Sequence, residues 1–144
     1  EAAVEIAESF DIALGIEPEL ANVVADAAAA RRLLDEMASP RLRIVLDPAN
    51  LFERAEEAER RRLIEAATDT LGDALVMAHA KDRAADGSFV AAGKGVVDFA
   101  HFVRCLREAG FDGPLITHEL TAKEAPGVAR FLGDTLAGLG LGAS

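Results

Sequence analysis

The feature that most constrains the fold is the regular alternation of short apolar runs with longer amphipathic stretches. Four runs lack the alternation of half-exposed strands, which is typical of strands covered on both faces; they are residues 12–16, 42–46, 74–78 and 115–117. Helical patterns lie around them, over residues 1–10, 26–38, 54–71, 97–109 and 124–139. Because strand–helix–strand units are right-handed, such a chain builds a parallel sheet with helices outside. We therefore predict an α/β fold, either a doubly wound sheet or part of a barrel.

The ends of the predicted helices carry recognisable signals. Asp26 stands where an N-cap is needed, and Gly110 follows the fourth helical pattern in the position of a C-cap. No linker-like stretch divides the chain, so we predict one domain over residues 1–144. The first residue is Glu1 rather than Met, and it already lies in a helical pattern. We therefore expect that further residues precede this segment.

Composition narrows the classes of function. The chain has 144 residues, is 51% hydrophobic and carries a net charge of −10, which argues against nucleic-acid binding since phosphate contacts need clustered cations. The single cysteine, Cys105, excludes an internal disulfide, and we expect a buried thiol. No apolar run is long enough for a membrane span, and no signal-peptide pattern is present. The sequence predicts a cytoplasmic protein without membrane partners.

Each predicted strand is followed by a residue that can bind a metal ion. These residues are Glu17, Asp47, His79 and Glu119, in chain order. Because the carboxyl ends of parallel strands lie on one side of a sheet, we expect the four side chains to converge. Three carboxylates and an imidazole suit Mn²⁺, Co²⁺, Mg²⁺ or Zn²⁺, and without a cation the carboxylates would repel one another. The pattern predicts a divalent metal site.

Five segments resemble, in order, motifs of the xylose-isomerase-like sugar isomerases and epimerases. Residues 15–19 resemble the Glu-Pro strand of that family, and residues 46–50 resemble its Asp-x-x-His/Asn strand. Residues 79–83 resemble its His-x-Lys-Asp segment. Residues 93–99 and 110–119 resemble its Gly-x-Gly-x-x-Asp-Phe loop and its last strand with a terminal Glu. The resemblance covers nearly the whole chain.

The resemblance implies the C-terminal half, about four βα units, of a (β/α)₈ TIM barrel. It implies a metal held by Glu17, Asp47, His79 and Glu119, with Glu17 and Glu119 also moving protons on a sugar. It implies a substrate contact from Asn50, although relatives often carry His at that position. For Lys81 we expect either a contact with a substrate oxygen or phosphate or an ion pair with Asp82 or a nearby carboxylate. The missing N-terminal half-barrel, or a second chain in a homodimer, would complete the barrel. His118 is expected to face away from the ligand side.

The favoured function is isomerisation or epimerisation of a small sugar, sugar phosphate or related polyhydroxy carbonyl compound through an enediolate. One alternative is a dehydratase resembling inosose dehydratases, in which the same base triggers loss of water. A second is a phosphodiesterase of the endonuclease-IV type, which is disfavoured because no histidine lies between Asp82 and Asp98. A third is a degenerate or fragmentary barrel that binds without turnover. For Asp82 and Arg83 the simplest expectation is that they order a loop.

Overall fold

The structure, a computed structural model, describes residues 1–141 and has a single run of alternating helices and strands. The helices are α1 (Ala2–Ser9), α2 (Ala27–Met37), α3 (Glu57–Leu71), α4 (Phe99–Glu108) and α5 (Ala125–Gly138). The strands are β1 (Leu14–Ile16), β2 (Leu42–Leu46), β3 (Leu75–His79), β4 (Lys81–Arg83), β5 (Phe89–Ala91) and β6 (Leu115–Ile116). All predicted helices and all four predicted strands are present, with ends shifted by at most three residues.

Strands β1, β2, β3 and β6 form one parallel sheet in that order. Each new strand is added on the same side of the preceding one, and the order never reverses. A doubly wound sheet reverses its order at a switch point, whereas a barrel keeps the same direction. Of the two architectures that the sequence left open, the topology therefore favours part of a barrel.

The core lies between the sheet and the helices that follow each strand. Strand β2 alternates between buried and half-buried positions, with Ile44 and Leu46 almost wholly enclosed. Ile64 of α3 and Phe102 of α4 are fully buried in the same apolar cluster. The carboxyl ends of the strands therefore project from a well-packed base.

The predicted helix caps are present. The Asp26 carboxylate accepts a hydrogen bond from the Ala29 N–H at 2.7 Å and so satisfies one of the free amides at the start of α2. Gly110 has a φ of +79°, and its N–H donates to the Arg107 carbonyl at 3.0 Å just after α4 ends. Within residues 1–141, no helix has the length and apolarity needed to cross a membrane.

The sequence did not predict a small antiparallel hairpin of β4 and β5, which pairs Lys81 with Ala91 and Arg83 with Phe89. Strand β4 consists of Lys81, Asp82 and Arg83, all buried. A strand of three charged residues has no apolar pattern, so periodicity cannot reveal it. It follows β3 after a single residue and carries its charged side chains to the carboxyl end of the sheet.

Strands β1 and β6 lie at the two edges of the parallel sheet. Large apolar side chains are exposed near both edges: Phe10, Ile12 and Val23 around β1, and Ile116 in β6. Exposed apolar side chains beside unpaired strand edges are typical of surfaces that another element covers.

Candidate metal centre

Four side chains from four successive strand ends converge at the carboxyl end of the sheet. They are Glu17, Asp47, His79 and His118, and each offers a ligand atom within 4.8 Å of the others. His79 Nδ1 lies 3.0 Å from Glu17 Oε1, and His118 Nε2 lies 3.3 Å from Asp47 Oδ2. The two imidazole rings meet edge to face, with their centroids 4.4 Å apart. We call these four residues the ligand cluster.

Asp47 is the buried centre of the ligand cluster. Its side chain is wholly enclosed, and burial raises the pKa of its carboxyl group, an effect that the nearby Lys81 charge partly offsets. Its Oδ1 accepts a hydrogen bond from the Ala49 N–H at 2.9 Å, which caps the short 3₁₀ turn Pro48–Asn50. The fixed φ of Pro48 suits the first position of this turn. The local sequence thus holds Asp47 at the end of β2.

The donor set of the ligand cluster fits a transition metal ion. Two carboxylates and two imidazoles supply mixed oxygen and nitrogen ligands, which suit Zn²⁺, Co²⁺ or Mn²⁺ better than Mg²⁺, since Mg²⁺ prefers oxygen. Each carboxylate has nitrogen neighbours: Asn50 Nδ2 and His79 Nδ1 lie beside Glu17, and Lys81 Nζ and His118 Nε2 lie beside Asp47. The ligand cluster is therefore an arrangement that could hold a divalent metal ion.

Residues 1–134 match the family model of the xylose isomerase-like TIM barrel. The chain belongs to this family. The membership predicted from the five motifs is confirmed. A comparison with curated proteins gives no match.

Solved structures extend this finding to the fold. A D-tagatose 3-epimerase-like protein matches with a TM-score of 0.73 and 22% identity over 93% of this chain and 50% of its own. A xylose isomerase domain protein from Planctomyces limnophilus matches with a TM-score of 0.73 and 23% identity, over 92% and 48%. The 3-keto-D-glucoside 4-epimerase YcjR from E. coli matches with a TM-score of 0.66 and 20% identity, over 96% and 49%. The chain thus spans about half the length of these proteins, which confirms the predicted partial TIM barrel.

The ligand cluster of this xylose isomerase-like chain contains three of the four predicted metal ligands, Glu17, Asp47 and His79. The fourth member is His118, so the expectation that His118 faces away was wrong. Glu119 is exposed and has a φ of +56°, in the left-handed region, and it lies outside the ligand cluster. Its role as a ligand stays a prediction.

The cause of the difference is where the last strand ends. Strand β6 ends at Ile116, whereas the apolar pattern extends to Thr117. The Thr117 hydroxyl donates to the Ala80 carbonyl at 3.1 Å beyond that end. Glu119 then adopts a left-handed φ instead of an extended one, so the alternation of a strand does not set which of His118 and Glu119 points towards the other ligands. No periodicity in the sequence could have settled this choice between two adjacent polar residues.

Asn50 and Lys81, the predicted substrate-binding residues, lie against the ligand cluster. Asn50 Nδ2 donates to Glu17 Oε1 at 3.0 Å, and Lys81 Nζ donates to Asn50 Oδ1 at 2.8 Å. Lys81 Nζ also lies 3.4 Å from Asp47 Oδ2. Asn50 is 1% exposed and Lys81 is 5% exposed, so other groups of the protein already engage their polar atoms. Substrate binding by these two residues stays a prediction.

Asp82 orders the loop that precedes α4, as expected. Its buried carboxylate accepts hydrogen bonds from the N–H groups of Arg83, Gly93, Gly95 and Val97 at 2.8 to 3.1 Å. At Gly95 an added Cβ would lie 2.2 Å from the Arg83 carbonyl oxygen, so this position requires glycine. The Gly93 and Gly95 amides therefore bind a protein carboxylate rather than a phosphate group, and the Lys94 N–H donates to the Ala91 carbonyl at 3.1 Å.

Arg83 also orders the structure on the other side of the hairpin. Its Nε donates to the Ala49 carbonyl at 2.8 Å, and its Nη1 donates to the Gly87 carbonyl at 2.7 Å. The guanidinium lies over the Phe89 ring, 4.0 Å from the centroid. These contacts tie the hairpin to the turn that follows Asp47, so they fix the β4 side chains relative to the ligand cluster.

Proposed function

We propose that this chain is the carboxyl-terminal half of a metal-dependent sugar isomerase or epimerase. The observation that carries the proposal is the convergence of Glu17, Asp47, His79 and His118 at the strand ends of a xylose isomerase-like barrel. Solved structures with the same fold include proteins named D-tagatose 3-epimerase-like protein and 3-keto-D-glucoside 4-epimerase. The proposed substrate is therefore a small sugar, sugar phosphate or related polyhydroxy carbonyl compound.

We propose that Glu17, Asp47 and His79 hold the cation together with His118. A divalent ion bound there supplies positive charge beside the substrate carbonyl and the adjacent hydroxyl group. The family resemblance implies Glu119 as the fourth ligand instead. The contact between His118 and Asp47 and the exposure of Glu119 favour His118, which would leave the Glu119 carboxylate uncommitted for proton transfer.

The proposed chemistry is proton transfer at the carbon next to the carbonyl. The Glu17 carboxylate would remove the proton, and the Glu119 carboxyl group would return one to the opposite face of the enediolate. Glu17 and Glu119 follow the first and last strands of the parallel sheet, so they approach the site from different sides. Two groups on opposite sides suit an epimerase, since the configuration at the carbon must invert.

We propose that the rest of the barrel comes from chain outside this segment or from a second copy in a homodimer. The support is the share of the related structures that this chain covers, which is 50% for the first and 48% for the second. The exposed apolar side chains beside β1 and β6 also support it. The cytoplasmic location stays a prediction.

The test uses Glu17→Gln and Glu119→Gln in the full-length protein, assayed with D-tagatose, D-psicose and phosphorylated ketoses at saturating Mn²⁺. We expect each variant to lower kcat by about two to four orders of magnitude, as is usual for a lost acid or base group. EDTA should abolish activity, and Mn²⁺ or Co²⁺ should restore it. Glu19→Gln is the matched control, because its carboxylate accepts from Asn22 at 3.1 Å and lies outside the ligand cluster.

Exchange of the substrate α-proton with solvent deuterium separates the two glutamates. If one variant exchanges the proton at the wild-type rate but forms no product, the other glutamate is the base. If both variants turn over normally with metal bound, the proposed acid and base are wrong. A dehydrated product in place of an epimer would assign the chain to the dehydratases. Full-length protein that binds no Mn²⁺, Co²⁺ or Zn²⁺ would refute the metal dependence itself.

A further inference from the structure

A chain of hydrogen bonds links Lys81 to the ligand cluster. The Lys81 ammonium donates to Asn50 Oδ1 at 2.8 Å, and Asn50 Nδ2 donates to Glu17 Oε1 at 3.0 Å. The same Glu17 oxygen lies 3.0 Å from His79 Nδ1. The Asn50 amide is therefore a bridge between a cation and a carboxylate.

The chemistry of the two ends fixes the orientation of the amide. A lysine ammonium only donates hydrogen bonds, so it must face the amide oxygen. A carboxylate only accepts, so it must face the amide nitrogen. Both requirements select the same orientation of Asn50, and with both partners present the flipped amide would leave two buried groups in repulsive contact. The loss of Lys81 would leave Oδ1 buried without this donor, which is costly.

The surroundings of Lys81 leave its ammonium group little freedom. It lies over the Phe89 ring, 3.9 Å from the centroid, and 3.4 Å from Asp47 Oδ2. The shorter contact is the one to Asn50, and only 5% of the residue is exposed. These contacts engage the ammonium with protein groups on several sides.

We propose that Lys81 is a positioning residue, which acts through Asn50 to hold the Glu17 carboxylate in the orientation that the metal centre requires. The expected consequence, that removal of Lys81 lowers metal affinity and turnover, rests on the proposed function. The hydrogen-bonded bridge itself is independent of that function. Lys81 then contributes to catalysis without contact with the sugar.

The first test reads the bridge without metal or substrate. In ¹⁵N-labelled full-length protein, the Asn50 side-chain NH₂ signals are assigned by their loss in Asn50→Asp. In the wild type, the Asn50 amide proton that is hydrogen-bonded to Glu17 should have a chemical shift further downfield than the other amide proton. The chemical shifts of the two NH₂ protons should therefore differ widely. In Lys81→Met the separation should fall towards that of a solvent-exposed asparagine. Unchanged signals would overturn the proposal, because the amide would then hold its place without Lys81.

The second test is a double-mutant cycle on Mn²⁺ affinity with Lys81→Met, Asn50→Leu and both together. We expect each single variant to weaken Mn²⁺ binding about 10–100-fold, the usual effect of residues that orient metal ligands. The double variant should bind no more than about threefold more weakly than Asn50→Leu, because both changes break the same bridge. If the loss of Mn²⁺ affinity in the double variant equals the product of the two single losses, the proposal is overturned. Lys81 would then act through its contact with Asp47 and not through Asn50.

Kinetics distinguish positioning from substrate binding. With metal saturating, Lys81→Met should lower kcat and leave KM near the wild-type value, and Lys81→Arg should restore part of kcat since it can also donate to Asn50. A rise in KM alone would overturn the proposal in favour of a substrate contact. Lys123→Met removes an exposed lysine and is the matched control. If the wild type binds no Mn²⁺, the proposed function fails, whereas the NMR result still decides whether Lys81 orients Asn50.

Discussion

Asp82→Asn should destabilise the protein strongly, because four backbone N–H groups converge on one buried carboxylate. Its Oδ1 accepts from Arg83 and Val97, and its Oδ2 accepts from Gly93 and Gly95. An amide keeps one acceptor oxygen and turns an NH₂ group towards the other pair of donors, so two bonds to a charged acceptor are lost. At about 1.5–3 kcal/mol for each such bond, the loss is about 3–6 kcal/mol. We expect the lower end, since a neutral amide costs less to bury than a carboxylate.

Urea denaturation of the full-length protein, followed by circular dichroism, measures this loss as a lower midpoint with an unchanged slope. Hydrogen exchange at the Gly93, Gly95 and Val97 amides should accelerate, which locates the effect in the loop. Asp112→Asn is the control, because it makes the same chemical change at an exposed position. A free energy of unfolding within about 1 kcal/mol of the wild type would refute the reasoning, since losses of that size are ordinary for point substitutions.

Two further predictions concern the fourth ligand and the thiol. His118→Ala should weaken Mn²⁺ binding at least about tenfold while Glu119→Gln leaves it nearly unchanged, and calorimetry that gives the reverse would assign Glu119 as the ligand. Burial, with Glu65 and Glu108 nearby, raises the pKa of the Cys105 thiol above its ordinary value of 9.0. Thiol reagents should therefore label Cys105 slowly at pH 8 in folded protein and rapidly in urea, and the free energy of unfolding should fall as pH rises above 9.0. Rapid stoichiometric labelling of native protein would contradict this.

Most of the helices and strands depend on residues that are close together in the sequence, so the sequence alone predicts them. Uninterrupted apolar runs identify the four parallel strands, because the strands of a barrel are covered by helices on one face and by packed interior side chains on the other. Asp26 marks the start of α2 through a hydrogen bond that spans three residues. The hairpin of β4 and β5 was missed, since Lys81, Asp82 and Arg83 form a strand only because distant groups satisfy their charges.

The metal-binding character of the site was also readable from the sequence. Glu17, Asp47 and His79 each stand directly after an apolar strand, and parallel strands bring such positions together at one end of a sheet. The identity of the fourth cluster member was not readable. His118 and Glu119 are adjacent and both can bind a metal, and the backbone conformation after β6 brings His118 rather than Glu119 to the other ligands.

By itself, the sequence determined the order of the helices and of the four parallel strands, the family and three members of the ligand cluster, because these follow from patterns within a few residues. Only the tertiary structure decided that His118 reaches Asp47 across 71 positions of the chain and that Lys81 reaches Asn50 across 31. Such contacts depend on strand register and on the place where a strand ends, which the packing of the whole sheet fixes. A one-residue change in that register exchanges one polar neighbour for the next while the apolar pattern of the sequence stays the same.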